Sequence, residues 1–275
     1  MFVSRAVSLI ASVATLGISA ISAAPEKPAA TELTVVSLNI RNGGRRMDGV
    51  YDRPLQQRVI AALKPDLLAM QEVDRKTTRV GGVDVPAEFS DALALKFHYA
   101  PAIKFAGGEY GTATFSKFPI TREITIPLPT PVEDRAAALI VTKLPNGGEV
   151  MFVSVHLDSS EKSDAARLSN TRALLAVLDK ENNKSLPAIL AGDFNATPDS
   201  PIFKLFADAG FRRCESKNGA DLSFPADKPD KLIDFVLLRD GATAGLEDAG
   251  TEIVNEPLAS DHRPMLSHLR VVSKK

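Results

Sequence analysis

Two polar segments late in the chain combine residue types with complementary chemistry. The first is Gly192-Asp193-Phe194-Asn195, which follows a short apolar run, and the second is Ser260-Asp261-His262. Carboxylates hold hard cations, an amide can hold a substrate oxygen or a water, and a histidine can move a proton or stabilise charge. Together they are typical of metal-assisted phosphoester hydrolysis. Taken alone, the first segment equally fits an Asx turn, and a lone histidine before Arg-Pro is more often a surface cap.

Two further polar side chains stand at the ends of apolar runs of strand length. Residues 33–39 end at Asn39, and residues 67–72 end at Glu72. Because strand ends on one side of a fold can gather side chains that are distant in sequence, we expect Asn39 and Glu72 to converge. A carboxylate suits Mg²⁺, which favours carboxylate and water oxygens and leaves room for a substrate phosphate. Taken singly, Glu72 also fits a solvated strand terminus.

Asp234 lies inside an apolar run, residues 232–238, where an unpaired charge is costly. A histidine is a suitable partner, because a carboxylate bonded to one imidazole nitrogen fixes the tautomer and leaves the other nitrogen for the reacting phosphate. We therefore predict that Asp234 orients His262, and that Asp261 adds a cation ligand or a water contact.

A second histidine, His156, ends the apolar run 150–156 and offers another proton donor. One imidazole on each side of a phosphoryl centre would suit an in-line displacement. The chain has four histidines. The other two, His98 and His268, lie in plain strand contexts and are predicted to be structural.

The elements that must position these groups include both strands and helices. Runs of strand length cover 33–39, 67–72, 150–156, 188–193 and 232–238, and several are nearly continuous, which is typical of strands covered on both faces. Helices are predicted at 54–63, 86–96 and 164–180. Asn146-Gly147 predicts a hairpin between strands at 138–144 and 149–155. Loops are predicted at 81–86 and 240–250. The combination predicts an α/β protein with mixed sheets.

The first residues differ from the rest of the chain. Residues 1–5 carry one positive charge, residues 6–21 carry none, and Ser22-Ala23-Ala24 supplies small residues, which is the layout of a secretory signal peptide. The uncharged stretch is too short for a membrane-spanning helix, which needs about 20 apolar residues. We predict a signal peptide at 1–24, a flexible lead-in at 25–31, one catalytic domain at 32–272, and export to the periplasm or beyond.

Composition is that of a globular protein, with 44% hydrophobic and 24% charged residues in 275. The single cysteine, Cys214, excludes an internal disulfide, so an exported product must be stable through its core alone. Loss of Arg5 with the leader leaves 32 basic residues against 34 acidic ones. This near-neutral net charge argues against a protein whose main function is to bind long DNA.

Read in order, the polar motifs resemble the endonuclease/exonuclease/phosphatase superfamily of metal-dependent hydrolases. They cover nearly all of the chain after the leader, and the last two are quite specific. The resemblance implies a DNase I-like, four-layered α/β/β/α sandwich, in which helices flank two packed mixed sheets and the active site lies at one edge. The motifs are Asn39-Ile40-Arg41, Gln71-Glu72, Glu109-Tyr110-Gly111, Arg135, His156-Leu157, Gly192-Asp193-Phe194-Asn195, Ile233-Asp234 and Ser260-Asp261-His262.

The resemblance also implies a role for each candidate residue. The implied ligands of Mg²⁺ or Mn²⁺ are Asn39, Glu72 and Asp261. The implied catalytic residues are Asp193, which acts on the nucleophile, Asn195, His262 braced by Asp234, and His156 braced by Glu109. The implied phosphate contacts are Arg41, Arg135 and Asn195. Arg41 stands where members that cleave abasic DNA usually carry an acidic residue, which argues against a repair enzyme.

The substrate stays open between several phosphoesters: a nucleic acid, a phospholipid head group, or a small phosphate ester. Phosphodiester hydrolysis is the leading prediction, because one metal and two histidines suit protonation of an alkoxide leaving group. The alternatives are a secreted deoxyribonuclease, a sphingomyelinase-like or inositol-phosphate hydrolase, and a noncatalytic binding module on the same fold. The near-neutral charge argues against the nuclease, and the absence of Trp argues against a membrane phospholipase. We expect a monomer without a stable protein partner.

Overall fold

A computed structural model of the chain describes residues 1–2, 30–130, 133–160, 164–182, 185–217 and 221–274. The signal peptide and the lead-in, predicted at 1–24 and 25–31, fall almost entirely outside the described residues and stay predictions. In the described part of the chain, no helix combines the length and apolarity that a membrane span requires.

The first sheet has six strands in the order β11-β12-β1-β2-β4-β3. Its central pair, β1 and β2, is parallel, and the other pairs are antiparallel. Parallel pairing puts the carboxyl ends of β1 and β2 at the same edge. The strands are β1 (Thr31–Asn39), β2 (Leu67–Arg75), β3 (Lys96–Phe105), β4 (Gly108–Ser116), β11 (Ala244–Ile253) and β12 (Met265–Ser273).

The second sheet also has six strands, in the order β5-β6-β7-β8-β10-β9. Here β7 and β8 are parallel, and the predicted hairpin at Asn146-Gly147 joins β6 to β7 in antiparallel fashion. The strands are β5 (Ile120–Leu128), β6 (Arg135–Lys143), β7 (Glu149–His156), β8 (Ala188–Asp193), β9 (Arg212–Arg213) and β10 (Asp234–Arg239).

Helices cover the outer face of each sheet. On the first sheet lie α2 (Arg53–Leu63) and α3 (Val85–Leu93), and on the second lie α4 (Ala165–Asn182) and α5 (Ile202–Asp208). Two short segments, α1 (Arg41–Gly44) and a 3₁₀ turn at Thr78–Val80, lie near the strand ends. Asp52 caps α2 by accepting from the Leu55 backbone N–H at 3.0 Å.

Three apolar clusters separate four layers. One lies between the two sheets and includes Val35, Phe152 and Val236. The other two pack the helices onto the outer sheet faces and contain Leu174 and Phe89, respectively. Burial on both faces explains the nearly continuous apolar strands. The predicted α/β/β/α sandwich of two mixed sheets is confirmed.

Two details of the prediction are wrong. Residues 240–250, predicted as a loop, contain the start of β11, an edge strand with an irregularity between Asp248 and Gly250. An exposed edge strand keeps many polar residues, so its sequence is typical of a loop. The helix predicted at 86–96 already ends at Leu93, because Ala94 adopts a left-handed conformation (φ 54°) and β3 begins at Lys96.

Candidate active site

Three neighbouring strands of the second sheet deliver the central residues of the site. His156 ends β7, Asp193 ends β8, and Asp234 begins β10. In the register of the sheet, Asp193 pairs with His156 on one side and with Asp234 on the other. The three side chains therefore stand in one row at the sheet edge, although the sequence separates them widely.

Two imidazoles converge on one carboxylate oxygen. The Nε2 atoms of His156 and His262 each lie 3.6 Å from Oδ2 of Asp193. The other ring nitrogen of His262, Nδ1, lies 2.9 Å from Oδ2 of Asp234. All four side chains are buried. The structure thus brings together the predicted pair Asp234–His262 and adds Asp193 between the two histidines.

Burial and neighbouring charges shift the protonation of this group. Burial alone would lower the pKa of His262, but the carboxylates of Asp234, Asp193 and Asp261 outweigh it and raise the pKa to about 10. Burial raises the pKa of Asp193 to about 7, even though the His262 cation acts in the opposite direction. His262 is therefore a cation at neutral pH, which suits charge stabilisation better than proton abstraction.

His156 responds to its surroundings in the opposite way. Burial, the Arg135 guanidinium and His262 hold the pKa of His156 well below its usual value. The imidazole is therefore neutral at neutral pH. A bound phosphate anion would oppose these effects and favour the protonated form.

A local irregularity in β2 turns Glu72 toward the site. Glu72 has a left-handed backbone (φ 57°), and the pairing of β2 with β4 shifts register between Met70 and Val73. Such bulges redirect a side chain next to active sites, and a non-glycine residue at positive φ carries strain. The oxygens of Glu72 accept from the Asn39 amide at 3.2 Å and from the Asn42 backbone N–H at 2.8 Å.

Asn39 connects the two halves of the site. Its Nδ2 donates to Glu72 and also to Oδ2 of Asp193, the latter at 3.1 Å. Its Oδ1 accepts from the backbone N–H of Arg41 at 3.0 Å, which fixes the orientation of the amide. In this structure Asn39 therefore orients two carboxylates. Its role as a metal ligand stays a prediction.

Arg41 and Asp261 are paired with each other. The guanidinium Nε lies 3.1 Å from Oδ2 of Asp261, and Nη1 donates to the carbonyls of Arg46 and Met47 at 2.9 and 3.0 Å. The predicted phosphate contact Arg41 is thus largely occupied by internal partners, which the sequence could not reveal. Its contact holds Asp261 at the cleft.

Arg135 remains a candidate for a phosphate clamp, although its side chain is only 7% exposed. It begins β6 and pairs with Glu133, and its Nη2 donates to the Ser159 hydroxyl at 3.2 Å. Its Nε is buried and has no hydrogen-bond partner within the described residues. A guanidinium beside His156 suits a phosphate anion.

Asn195 follows Asp193 in a tight turn. Its backbone is left-handed (φ 49°), its N–H donates to Oδ1 of Asp193 at 2.8 Å, and its Nδ2 donates to the Leu157 carbonyl at 3.0 Å. Asn195 therefore belongs both to the predicted Asx-type turn and to the candidate site. Just before it, a Cβ on Gly192 would overlap the carbonyl oxygen of Val155, so the approach of β8 to β7 requires glycine.

Glu109 does not reach this site, which corrects its prediction as the brace of His156. The Glu109 carboxylate pairs with Lys104 and lines a separate cavity at the β3–β4 turn. Successive side chains of a strand point to opposite faces, so the next residue, Tyr110, lines the cleft in its place. No sequence signal distinguished the two registers.

The cleft consists of two adjoining cavities of about 820 and 610 Å³, here called the first and second lobes. The first lobe contains both histidines, Asp193 and Asn195. The lining residues that were not predicted include Phe224, whose ring centroid lies 4.9 Å from that of His262, and Lys231. The lobes share four lining residues: Glu72, Arg135, Ser159 and Asp261.

The carboxylates present two arrangements that a cation could use. Asp193, Asp234 and His262 each offer a ligand atom within 4.8 Å of the others. However, the hydrogen bond to His262 already occupies Asp234. Glu72 faces both lobes, and within the described residues no basic side chain forms an ion pair with it. An unneutralised carboxylate in an open cleft fits a hard cation.

Two packed mixed sheets flanked by helices, with this polar cleft at one edge, define the DNase I-like class of folds. The model of the Endonuclease/Exonuclease/phosphatase family matches residues 36–262, which is most of the chain. The chain belongs to this family. The predicted family is confirmed.

Individual relatives are distant. Carbon catabolite repressor protein 4 homolog 3 of Arabidopsis thaliana is 25% identical over 215 residues, which are 67% of this chain and 44% of that protein. The chain thus spans less than half the length of this relative. Among solved structures, an endonuclease/exonuclease/phosphatase from Beutenbergia cavernae has a TM-score of 0.68 at 21% identity, covering 88% of this chain and 72% of the other. A mannosyl-6-phosphatase from Bacteroides thetaiotaomicron has a TM-score of 0.66 at 18% identity, covering 86% and 99%. At these identities the structures share the fold alone.

Proposed function

We propose that this chain is an exported, divalent-metal-dependent phosphoesterase that acts mainly on phosphodiesters. The observation that carries the proposal is the convergence of His156 Nε2 and His262 Nε2, each 3.6 Å from the same oxygen of Asp193. A phosphoryl group beside this oxygen would have a base and two imidazoles within reach, which suits proton transfer and charge stabilisation at phosphorus.

Asp193 would act on the nucleophile. Its pKa near 7 places the carboxylate where a general base is effective at neutral pH. It would accept a proton from a water whose oxygen forms the new bond to phosphorus while the ester P–O bond breaks. The hydrogen bonds from Asn39 and from the Asn195 backbone would hold the carboxylate in place.

His262 and Arg135 would stabilise negative charge, and His156 would donate the second proton. His262, kept cationic by Asp234, would stabilise negative charge on the phosphoryl oxygens. Arg135 would hold the phosphate through its guanidinium, which lines both lobes of the cleft. His156, protonated in the field of the bound anion, would give its proton to the departing alkoxide. One proton is thus taken from water and one is delivered to the leaving group.

Glu72 would hold the divalent cation, with Asp261 and waters completing the shell. When bound, Mg²⁺ or Mn²⁺ would supply Lewis-acid stabilisation of a phosphoryl oxygen. The donor set favours this assignment, because Glu72 and Asp261 are hard oxygen ligands at the junction of the two lobes.

Hydrolysis of bis-p-nitrophenyl phosphate by the purified chain tests the proposal. We expect turnover with Mg²⁺ or Mn²⁺ that EDTA abolishes and that His262→Ala and Asp193→Ala reduce strongly. Lys228→Ala, an exposed substitution outside the lining of the cleft, is the control and should leave the rate unchanged. Metal-independent turnover, or unchanged rates in both active-site variants, would contradict it.

Export and monomeric state have simple tests. Expression of the full chain in a bacterium with a secretory pathway should yield a mature product that begins near residue 24 or 25, as N-terminal sequencing would reveal. Retention of residues 1–24 in a cytoplasmic product would contradict export. Light scattering of the mature protein should give the mass of one chain, and a dimer would contradict the expected monomer.

A further inference from the structure

The division of the cleft into two lobes bears on the substrate. The four residues that the lobes share include Glu72 and Arg135, the proposed ligand of the cation and the proposed phosphate clamp. A phosphate held by these residues would sit at the junction, with an open cavity on each side. A monoester has one organic group and would fill one lobe, whereas a diester has a group for each.

Both lobes are lined mainly by polar surface. The first lobe adds Phe224, Ile233 and Pro201 to its catalytic groups. In the second lobe, Tyr110 is the one described lining residue with an aromatic ring, and the others include Asn42, Asp158 and Ser160. An acyl chain would find little apolar surface there, but hydroxyl groups would find donors and acceptors.

Tyr110 is held rigidly in the second lobe. The guanidinium of Arg79 lies 5.4 Å from the centroid of its ring, and Arg79 is fixed by a bidentate contact with the buried Asp74 at 2.6 and 3.1 Å. The ring itself is only 7% exposed. Within the described part of the chain, no hydrogen bond engages the Tyr110 hydroxyl. A rigid donor without a partner that borders a cavity is suited to a ligand.

We infer that the second lobe binds the second esterified group of a phosphodiester, that this group carries hydroxyls, as glycerol or a sugar does, and that Tyr110 recognises one of them. The inference rests on the proposed function and names the substrate class of that same site. Tyr110 acts here as a specificity-determining residue, since the bond-making steps belong to Asp193 and the histidines.

Three diesters with the same leaving group test this assignment: the glyceryl, propyl and methyl esters of p-nitrophenyl phosphate. The glyceryl and propyl groups differ only in two hydroxyls. With wild-type protein and Mg²⁺, kcat/KM should be higher for the glyceryl ester than for the propyl ester. Tyr110→Phe should lower this glyceryl-to-propyl ratio by about 3- to 10-fold, the effect of one lost hydrogen bond. Tyr51→Phe, outside both lobes, is the matched control and should leave the ratio unchanged.

A second variant tests the location without touching Tyr110. Ser160→Leu adds bulk to the second lobe and should lower kcat/KM for the glyceryl and propyl esters while sparing the methyl ester. Equal use of the glyceryl and propyl esters by the wild type, or a ratio that Tyr110→Phe leaves unchanged, would overturn the inference while turnover itself upheld the phosphoesterase. Absence of turnover with all three esters would refute the proposed function and the inference with it.

Discussion

Replacement of Asp234 by asparagine should uncouple His262 from its charge partner. The Asp234 carboxylate lies 2.9 Å from Nδ1 of His262 and contributes most to a pKa raised from 6.5 to about 10. At 1.36 kcal/mol per pKa unit, this rise corresponds to about 5 kcal/mol in favour of the imidazolium. Three carboxylates share that effect, so removal of the nearest charge should lower the pKa of His262 by about two units.

The sign of the pH effect follows directly. A raised pKa keeps His262 cationic up to alkaline pH in the wild type, so charge stabilisation persists until the pH approaches 10. In Asp234→Asn the burial remains but the opposing charge is gone, so the imidazolium disappears at a lower pH. The alkaline limb of kcat should move down by about two pH units, so kcat should fall about twofold at pH 8 and about 50-fold at pH 10.

The assay is hydrolysis of bis-p-nitrophenyl phosphate at saturating metal between pH 5 and 10. Asp208→Asn is the control, because Asp208 forms an exposed ion pair with Lys204 on α5 and does not line the cleft. Thermal unfolding should verify that both variants fold. An alkaline limb at the wild-type position, with kcat at pH 10 within twofold of the wild type, would refute the assigned role of the Asp234–His262 pair.

Three further predictions follow from the site. Glu72→Gln should weaken Mg²⁺ binding at least tenfold in calorimetric titration, and unchanged affinity would remove Glu72 from the proposed cation site. Because the pKa of Asp193 is about 7, its base form is lost as the pH falls through 7, so kcat/KM should drop about tenfold per pH unit below that value, and a flat acid limb would exclude this base. Gly192→Ala should destabilise the fold by about 3 kcal/mol or more in denaturant unfolding, because its Cβ would overlap Val155, and a wild-type midpoint would contradict the required close approach.

The sequence predicted those parts of the site that depend on strand ends. An apolar run that closes on a polar residue marks a buried strand leaving the sheet, and Asn39, His156 and Asp193 stand at such points. The costly carboxylate at Asp234 similarly implied a partner, and the structure supplies His262. Local patterns suffice here because strand burial and charge burial are themselves local constraints.

Other features depended on contacts that no local pattern encodes. The strand register decides whether Glu109 or Tyr110 faces the cleft. A shift of one residue would move each side chain to the opposite face of the sheet. The engagement of Arg41 depends on carbonyls that a loop five and six residues later brings back to it. The orientation of the Asn39 amide is likewise set by the folded turn that follows it.

The two sheets contribute different halves of the cleft: Asn39 and Glu72 come from one, and His156 and Asp193 from the other. Between the layers, Gln71 donates to the Ser154 hydroxyl at 3.0 Å. Catalysis therefore depends on the relative position of the two sheets. Mild denaturant that shifts one sheet against the other should abolish turnover while circular dichroism still records intact strands. Loss of activity would then precede loss of secondary structure and would indicate weakened packing between the sheets.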